Sequence, residues 1–470
     1  MHTVHGSTRG KRAFAGSTRG RRGPTRSTGR GGLCAMMGRM KRLAIIGGGA
    51  SGLAAGVAAS RALRERGLAV GEDVEVAVFE EDERVGRSIL ATGNGRCNFS
   101  NSQIDLGLYR NGEFAGQVLG SLAATAAAGG SAPGAACEDP VLAFFADLGL
   151  EWREEADGRL YPLANKASSV LDVLRAAFAD AGGREVCDHR ALRVDAPARE
   201  GDRFHLRFAD GAVEHADAVI VAVGGRAIGQ LELPGDLALS PTQLVLGPLR
   251  TENSVTRRLN NIRVRCAVEL QGADGAPKAR EEGEILFRDY GVSGIAVYNL
   301  SRFAEPGDVL VVDLVPFVPA DEAESYLYAR RRRMASRRGG LTAEDFLRGL
   351  VLPLVGEEVL LAAGLDGKAP FRKQDVPALV RALKGLRFEV LGIGDPKQCQ
   401  VARGGLSPDG LDPSTMGLRG VEGLYAAGEA VDVDGPCGGY NLHWAWASGI
   451  AAGCAAAGRL ADEAAGEAWA

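Results

Sequence analysis

The chain has 470 residues, 46% apolar and 24% charged, fractions ordinary for a globular protein with a large core and two or three domains. No run of about 18 strongly apolar residues is present, which argues against a spanning helix and a membrane partner. Eight cysteines without a C-x-x-C pair, and without metal-ligand spacing to the six histidines, exclude a zinc finger or disulfide framework and read as the reduced thiols of a cytoplasmic protein.

The net charge of −4 hides an asymmetry. The first 40 residues carry nine Lys/Arg and no acid, leaving 46 basic against 59 acidic residues in an acidic body. Residues 1–39 are Gly/Arg/Ser-rich, with Ser-Thr recurring at 7, 17 and 27 and no apolar period, so they read as a disordered basic extension. A nucleic-acid arm and a targeting segment are two readings of it. A third, favoured because Met40-Lys41-Arg42 leads straight into a strand, is a start placed too far upstream.

Leu43-Ala44-Ile45-Ile46 predicts a buried parallel strand, and Gly47, Gly49 and Gly52 follow at G-x-G-x-x-G spacing. Bare backbone there lets a diphosphate approach, while Ala50 and Ser51 open a helix whose first N–H groups lack acceptors. Val74–Phe79 alternates as the second strand of a βαβ unit and ends at Glu80 and Glu81, where a carboxylate suits a ribose. Residues 81–101 are dense in Gly and Asn and predict a loop in which Arg87, Arg96 and Asn98 are placed to meet phosphate or flavin oxygens. Cys97 reads as a packing residue.

Residues 102–185 read as mainly helical, broken by Ala/Gly-rich 124–136 and by a hairpin over Trp152–Pro162. Val219–Gly225 predicts another buried strand of the nucleotide domain. From 231 to 318, and again over 386–400, short β-like runs predict a small inserted barrel, and 319–385 reads as a helical bundle. The run Arg330–Arg333 with Arg337 and Arg338 reads as a solvated helix face.

Gly423–Glu429 is a short apolar strand closing on Gly428-Glu429, followed by Asp434 and by a helix starting near Gly439. An acid after the glycine suits ribityl hydroxyls, and the helix start suits the flavin edge that gains negative charge on reduction. Two such units far apart in sequence point to FAD gripped at both ends.

With both units in view, the chain resembles the BaiN-like (YhiN-like) flavoprotein family of NAD(P)/FAD-dependent or aminoacetone-oxidase-type oxidoreductases. The resemblance covers about 41–455 and rests on Gly47–Gly52, Gly93–Asn98, Gly291–Gly294, Arg403-Gly404-Gly405 and the run from Ala427 to Trp446. It implies an α/β fold: a discontinuous Rossmann-like FAD domain (40–230 and 401–470) with the inserted barrel and bundle. It also implies Ala50 and Ser51 at the diphosphate, Glu80 and Glu81 near the ribose, Val194 at the adenine, and Glu429, Asn441 and Leu442 at the flavin. Ile295, Arg288-Asp289, Ala402 and His443 depart from the family pattern, at positions that bear on substrate preference.

The expected activity is hydride transfer between FAD and a small organic substrate, with NAD(P)H-linked reduction of an activated C=C bond preferred to amine oxidation because no aromatic cage for an amine is legible. Tyr440 and His443 are candidates for proton transfer, and Arg96 and Arg403 for a substrate carboxylate. An RNA-acting flavoprotein is a rival that the acidic body opposes. The oligomeric state is left open.

Overall fold

The computed structural model describes residues 39–128, 139–199, 201–334 and 340–469. The basic extension, part of the Ala/Gly-rich stretch, and Arg337 and Arg338 lie outside the described residues.

In chain order, strand β1 (Lys41–Ile46), helix α1 (Ala50–Glu65) and strand β2 (Val74–Phe79) make the expected βαβ unit. Helix α2 (Arg87–Ala91), β3 (Ser100–Asn101), α3 (Gly112–Ala128), α4 (Pro140–Asp147), β4 (Trp152–Glu154), β5 (Arg159–Pro162) and α5 (Ala167–Asp180) follow. Next come β6 (Arg184–Val186), a meander of β7 (Ala191–Asp195), β8 (Phe204–Phe208) and β9 (Val213–Ala216), and the buried β10 (Ala218–Val221). Strand β11 (Leu239–Val245) leads into the barrel strands β12 (Leu249–Thr251), β13 (Arg263–Gln271), β14 (Pro277–Arg288), β15 (Gly291–Ser293) and β16 (Val309–Asp313), with α6 (Ser254–Arg258) and α7 (Ile295–Leu300) between them. Helices α8 (Ala323–Met334), α9 (Ala343–Leu347), α10 (Pro353–Ala363) and α11 (Val376–Lys384) precede the last barrel strand, β17 (Leu386–Ile393). The chain ends through β18 (Val401–Leu406), β19 (Leu424–Ala426) and the long helix α12 (Tyr440–Trp469).

The nucleotide-domain sheet is parallel in the order β19-β10-β1-β2-β6, so the last strand of the chain lies two places from the first. Both faces are covered, which is why β1, β2 and β10 are apolar nearly throughout. Helices α1 and α12 cross in backbone contact. A Cβ on Gly449 would overlap the carbonyl of Ser51, and one on Gly453 that of Ala55.

Six strands close the barrel in the order β12-β15-β14-β13-β16-β17. Strand β11, grouped with the barrel on sequence, pairs instead with β18 as a two-stranded ribbon joining barrel and nucleotide domain. Barrel residues such as Phe287 and Phe388 share one apolar core with Phe346, Val359 and Leu379 of the helices, so the bundle packs as part of the barrel. In the arginine run, Arg330 donates to the carbonyls of Phe346 (3.2 Å) and Arg348 (2.7 Å), and Arg331 to that of Phe371 (3.1 Å). These two staple helix ends, while Arg332 and Arg333 are exposed. Among the described residues no helix is long and apolar enough to cross a membrane.

Candidate active site

The glycine turn after β1 is built by close approaches. Gly47 has φ +107°, its N–H donates to Phe79 O (2.8 Å), and a Cβ on it would overlap Ala222 O. Gly52 faces the Gly47 carbonyl with no room for a side chain, fixing α1 against the turn. Gly49 differs: the nearest atom to a Cβ there is Ser88 Oγ at 3.2 Å, so its bareness leaves a shallow floor above the helix start. No side chain caps α1 and its first turn holds no acid, so the floor faces unpaired N–H groups and a positive helix end.

Glu80 closes one side of this floor. Its Oε2 accepts from Gly48 N–H (2.8 Å) and its Oε1 from Asp82 N–H (2.9 Å). Exposed Glu81 lies 3.7 Å from Arg190, and Arg87 pairs with Asp82 at the surface. Asn98 sits half-buried with Oδ1 shielded and unpartnered among the described residues. Val194 is buried in β7 and its N–H already donates to Glu232 O (2.9 Å), so the amide expected at an adenine is spent within the protein.

The C-terminal unit docks directly on the first. Gly428, at φ +66°, leaves only 2.5 Å between a would-be Cβ and Ser51 Oγ. Its N–H donates to Ser448 Oγ (2.8 Å) and its carbonyl accepts from Trp444 Nε1 (3.1 Å), which pins the strand end to α12. Half-buried Glu429 has one long contact from Ala402 N–H (3.4 Å), with the Gly225 N–H also facing its carboxylate, and desolvation lifts its pKa to about 7. It is an acceptor with unused capacity. Beyond it, Gly439 (φ +100°) has no space for a side chain against Ser100 O, and half-buried Leu442 packs at the core edge. The Asn441 carboxamide clasps Gly435, accepting from its N–H and donating to its carbonyl, both at 2.9 Å. Asn441 therefore shapes the loop before α12 through its side chain.

Several residues expected at the ligand are committed elsewhere. Asp434, 1% exposed and expected at the cofactor, lies between Arg302 (Nε–Oδ1 2.8 Å) and Arg403 (Nε–Oδ2 3.1 Å), because a carboxylate at that depth needs cationic partners. Arg403 is thereby occupied too. Arg96 donates to Asn165 (2.6 Å), pairs with Glu155 and lies over the Tyr161 ring. The Tyr440 hydroxyl donates to Gln103 O (3.1 Å) and accepts from Asp105 N–H (3.2 Å), which uses both of its roles. His443 is buried, with Nδ1 at 2.8 Å from Ser100 Oγ and Nε2 at 3.6 Å from Asp139, and burial lowers its pKa. Cys97 is fully buried, and burial raises its thiol to about 11. Arg302 carried no sequence signal, since it earns its place by a partner distant in the chain.

A parallel sheet with an open glycine turn at one strand end, and a Gly-acid strand and helix start beside it, defines a Rossmann-type dinucleotide-binding protein. The open floor at Gly49, the unpartnered Asn98 Oδ1 and the unsaturated Glu429 carboxylate fit an FAD held from both ends.

The profile of the HI0933-like protein Rossmann domain matches residues 41–455, and the chain belongs to that family. It is 32% identical to the 3-dehydro-bile acid Δ4,6-reductase of Clostridium scindens over 438 residues, covering 89% of this chain and all of that one. It is 26% identical to the ribosomal RNA dihydrouridine synthase of Escherichia coli, covering 86% of this chain and 95% of that protein. Among solved structures, the 3-ketosteroid Δ4-(5α)-dehydrogenase of Rhodococcus jostii aligns over 90% of this chain and 99% of its own, with TM-score 0.42 and 16% identity. The protein is an FAD-dependent oxidoreductase.

Proposed function

We propose that this enzyme reduces a C=C bond conjugated with a carbonyl group in a small organic molecule, with NAD(P)H as electron donor. The observation that supports this best is the full-length match to the bile-acid reductase, which acts on a C=C bond. Dihydrouridine synthesis also saturates a C=C bond conjugated with a carbonyl, so both relatives point to one class of chemistry.

In this reading the diphosphate rests on Gly47, Gly49, Ala50, Ser51 and Gly52, with Glu80 and Glu81 at the ribose and Arg87 and Asn98 beside the nucleotide. Val194 contributes only its position beneath the adenine. Glu429 takes the ribityl hydroxyls, and the α12 start at Gly439, Asn441 and Leu442 faces the ring edge. The bound flavin supplies the hydride chemistry. The chain's part is to hold the ring, exclude water and present substrate from the barrel side. Asp434, Tyr440, His443 and Arg96 act in it as positioning residues, through the contacts described above.

Anaerobic mixing with NADH, NADPH and candidate amines tests the reading. Bleaching by a pyridine nucleotide and reoxidation by an enone are expected; bleaching by an amine alone would overturn it in favour of amine oxidation. A second reading, reduction of a base in RNA, is favoured by the full-length match to the ribosomal RNA enzyme and by exposed Arg332 and Arg333. The acidic body opposes it. Salt-sensitive retention of a structured RNA, with turnover on that RNA exceeding turnover on free enones, would shift the assignment.

A further inference from the structure

Reducing a conjugated enone places a specific demand on the wall opposite the cofactor. Hydride adding to the β-carbon drives the C=C pair toward the carbonyl, whose oxygen becomes an enolate and needs hydrogen-bond donors fixed in advance.

The barrel supplies that wall. Helix α7 meets the loop leading into α12 through Asn299, whose Oδ1 accepts from Cys437 N–H (2.9 Å), and just past its C-terminus through Arg302 on Asp434. Tyr298 of the same helix packs, with Cys437, against Val245, Leu246 and Val401. Most polar groups at this junction are spent. Asn299 is held by Cys437, Gln398 Nε2 donates to Asp395 (2.9 Å), and Arg302 and Arg403 hold Asp434. Two phenols are not. The Tyr290 hydroxyl is shielded from solvent and makes no hydrogen bond of ordinary length and angle among the described residues, its neighbour Gln398 being turned to Asp395, and the Tyr298 hydroxyl has a single long contact with Ser293 Oγ at 3.4 Å.

An unpaired buried hydroxyl costs roughly 1–3 kcal/mol, so its persistence calls for a partner that binding supplies. Tyr290 is also held rigidly: its ring lies on Gly394, where a Cβ would come within 2.6 Å of Cε2, and its carbonyl accepts from Thr251 N–H (3.1 Å). Both residues sit where the β11–β12 and β17–β18 connections enter the barrel, at the junction with the nucleotide domain.

We propose that Tyr290 and Tyr298 bind the carbonyl oxygen of the substrate and hold the enolate formed during its reduction. This rests on the enone reading above. Hydride from the reduced cofactor forms the new C–H bond at the β-carbon, and the C=C pair shifts to make the enolate, whose charge on oxygen faces the two phenols. A proton from solvent then adds to the α-carbon and the C=O bond reforms. The substrate gains two electrons and two hydrogens, and the cofactor is oxidised by two electrons. Burial raises the Tyr290 pKa, which keeps that phenol a donor throughout.

The test uses FAD-loaded wild type, Y290F, Y298F and the double variant. Cyclohex-2-enone is the turnover probe, and 4-chlorophenol, whose phenolate mimics the enolate, is titrated by its perturbation of the flavin spectrum. Expected results are a loss in kcat of about 10²-fold for each single variant, at least tenfold weaker 4-chlorophenol binding, and unchanged flavin content and reduction by NAD(P)H. Melting temperature should hold or rise in Y290F, since its hydroxyl makes no hydrogen bond of ordinary geometry within the protein. Wild-type turnover of cyclohex-2-enone that both variants match would overturn the tyrosine assignment alone. A large fall in melting temperature of Y290F would do so too, by showing that the hydroxyl serves the fold. A wild type inert toward enones yet bleached by amines would overturn the enone reading and this assignment with it.

Discussion

Two titratable residues, buried His443 and half-buried Glu429, pull stability in opposite directions with pH. His443 has a pKa below its ordinary 6.5, so between the two values the unfolded chain binds the extra proton and stability falls as pH drops below 6.5. Glu429 has a pKa raised from 4.5 to about 7, so between those values the folded chain holds the extra proton and stability falls as pH rises through them. Thermal melts of the flavin-free protein from pH 4.5 to 7.5 should show H443Q removing the first slope and E429Q removing the second. At this scale the sequence was least informative. Arg96, Asp434 and Tyr440 are residue types that serve a ligand well, and only folding shows that Glu155, Arg302 and Gln103 already use them. Gly47, Gly52 and Gly428 were legible, because a forbidden side chain leaves its mark in the residue itself.

Elements were legible wherever the local pattern and the final environment agree. Four apolar residues ending in glycines became β1, and the Gly423–Glu429 run became β19 of the same sheet, because a parallel strand covered on both faces must be apolar throughout. The β11–β18 ribbon was not legible: its alternation looks like that of any barrel strand, and pairing is a property of two segments. The α1–α12 crossing is likewise written in small residues whose meaning appears only in contact. Gly453→Ala places a methyl against the Ala55 carbonyl and must push the two helices apart. A loss of about 1–3 kcal/mol in chemical denaturation is expected, together with weaker FAD retention, because α1 and α12 carry the two ends of the site. Retention of wild-type stability would show that the helices are less closely seated than described.

For the whole molecule, barrel and nucleotide domain are tied by charge as well as by the ribbon. Arg302, 5% exposed, and Arg403 converge on Asp434, so Asp434→Asn leaves buried guanidinium charge without its counterion. A loss of about 3 kcal/mol is expected in urea unfolding. An Asp434→Asn protein as stable as wild type would remove the ion cluster from the account of how the insertion is held. The barrel was expected from short β-like runs, but its shared core with the helices was not legible, since cores are assembled from residues distant in sequence.

The Gly47–Gly52 turn and the Gly428–Glu429 strand end come together where Ser51 meets Gly428, as a single FAD site requires. Titrating flavin-free protein with FAD, followed by flavin fluorescence, tests this most directly in wild type, in Gly49→Val, which fills the diphosphate floor, and in E429Q at the other end. One FAD per wild-type chain is expected, with about tenfold weaker binding in E429Q and at least about 10²-fold weaker binding in Gly49→Val, at least two hydrogen bonds to the diphosphate being lost. A wild type that takes up no FAD, or two folded variants that bind it as tightly as wild type, would contradict the account.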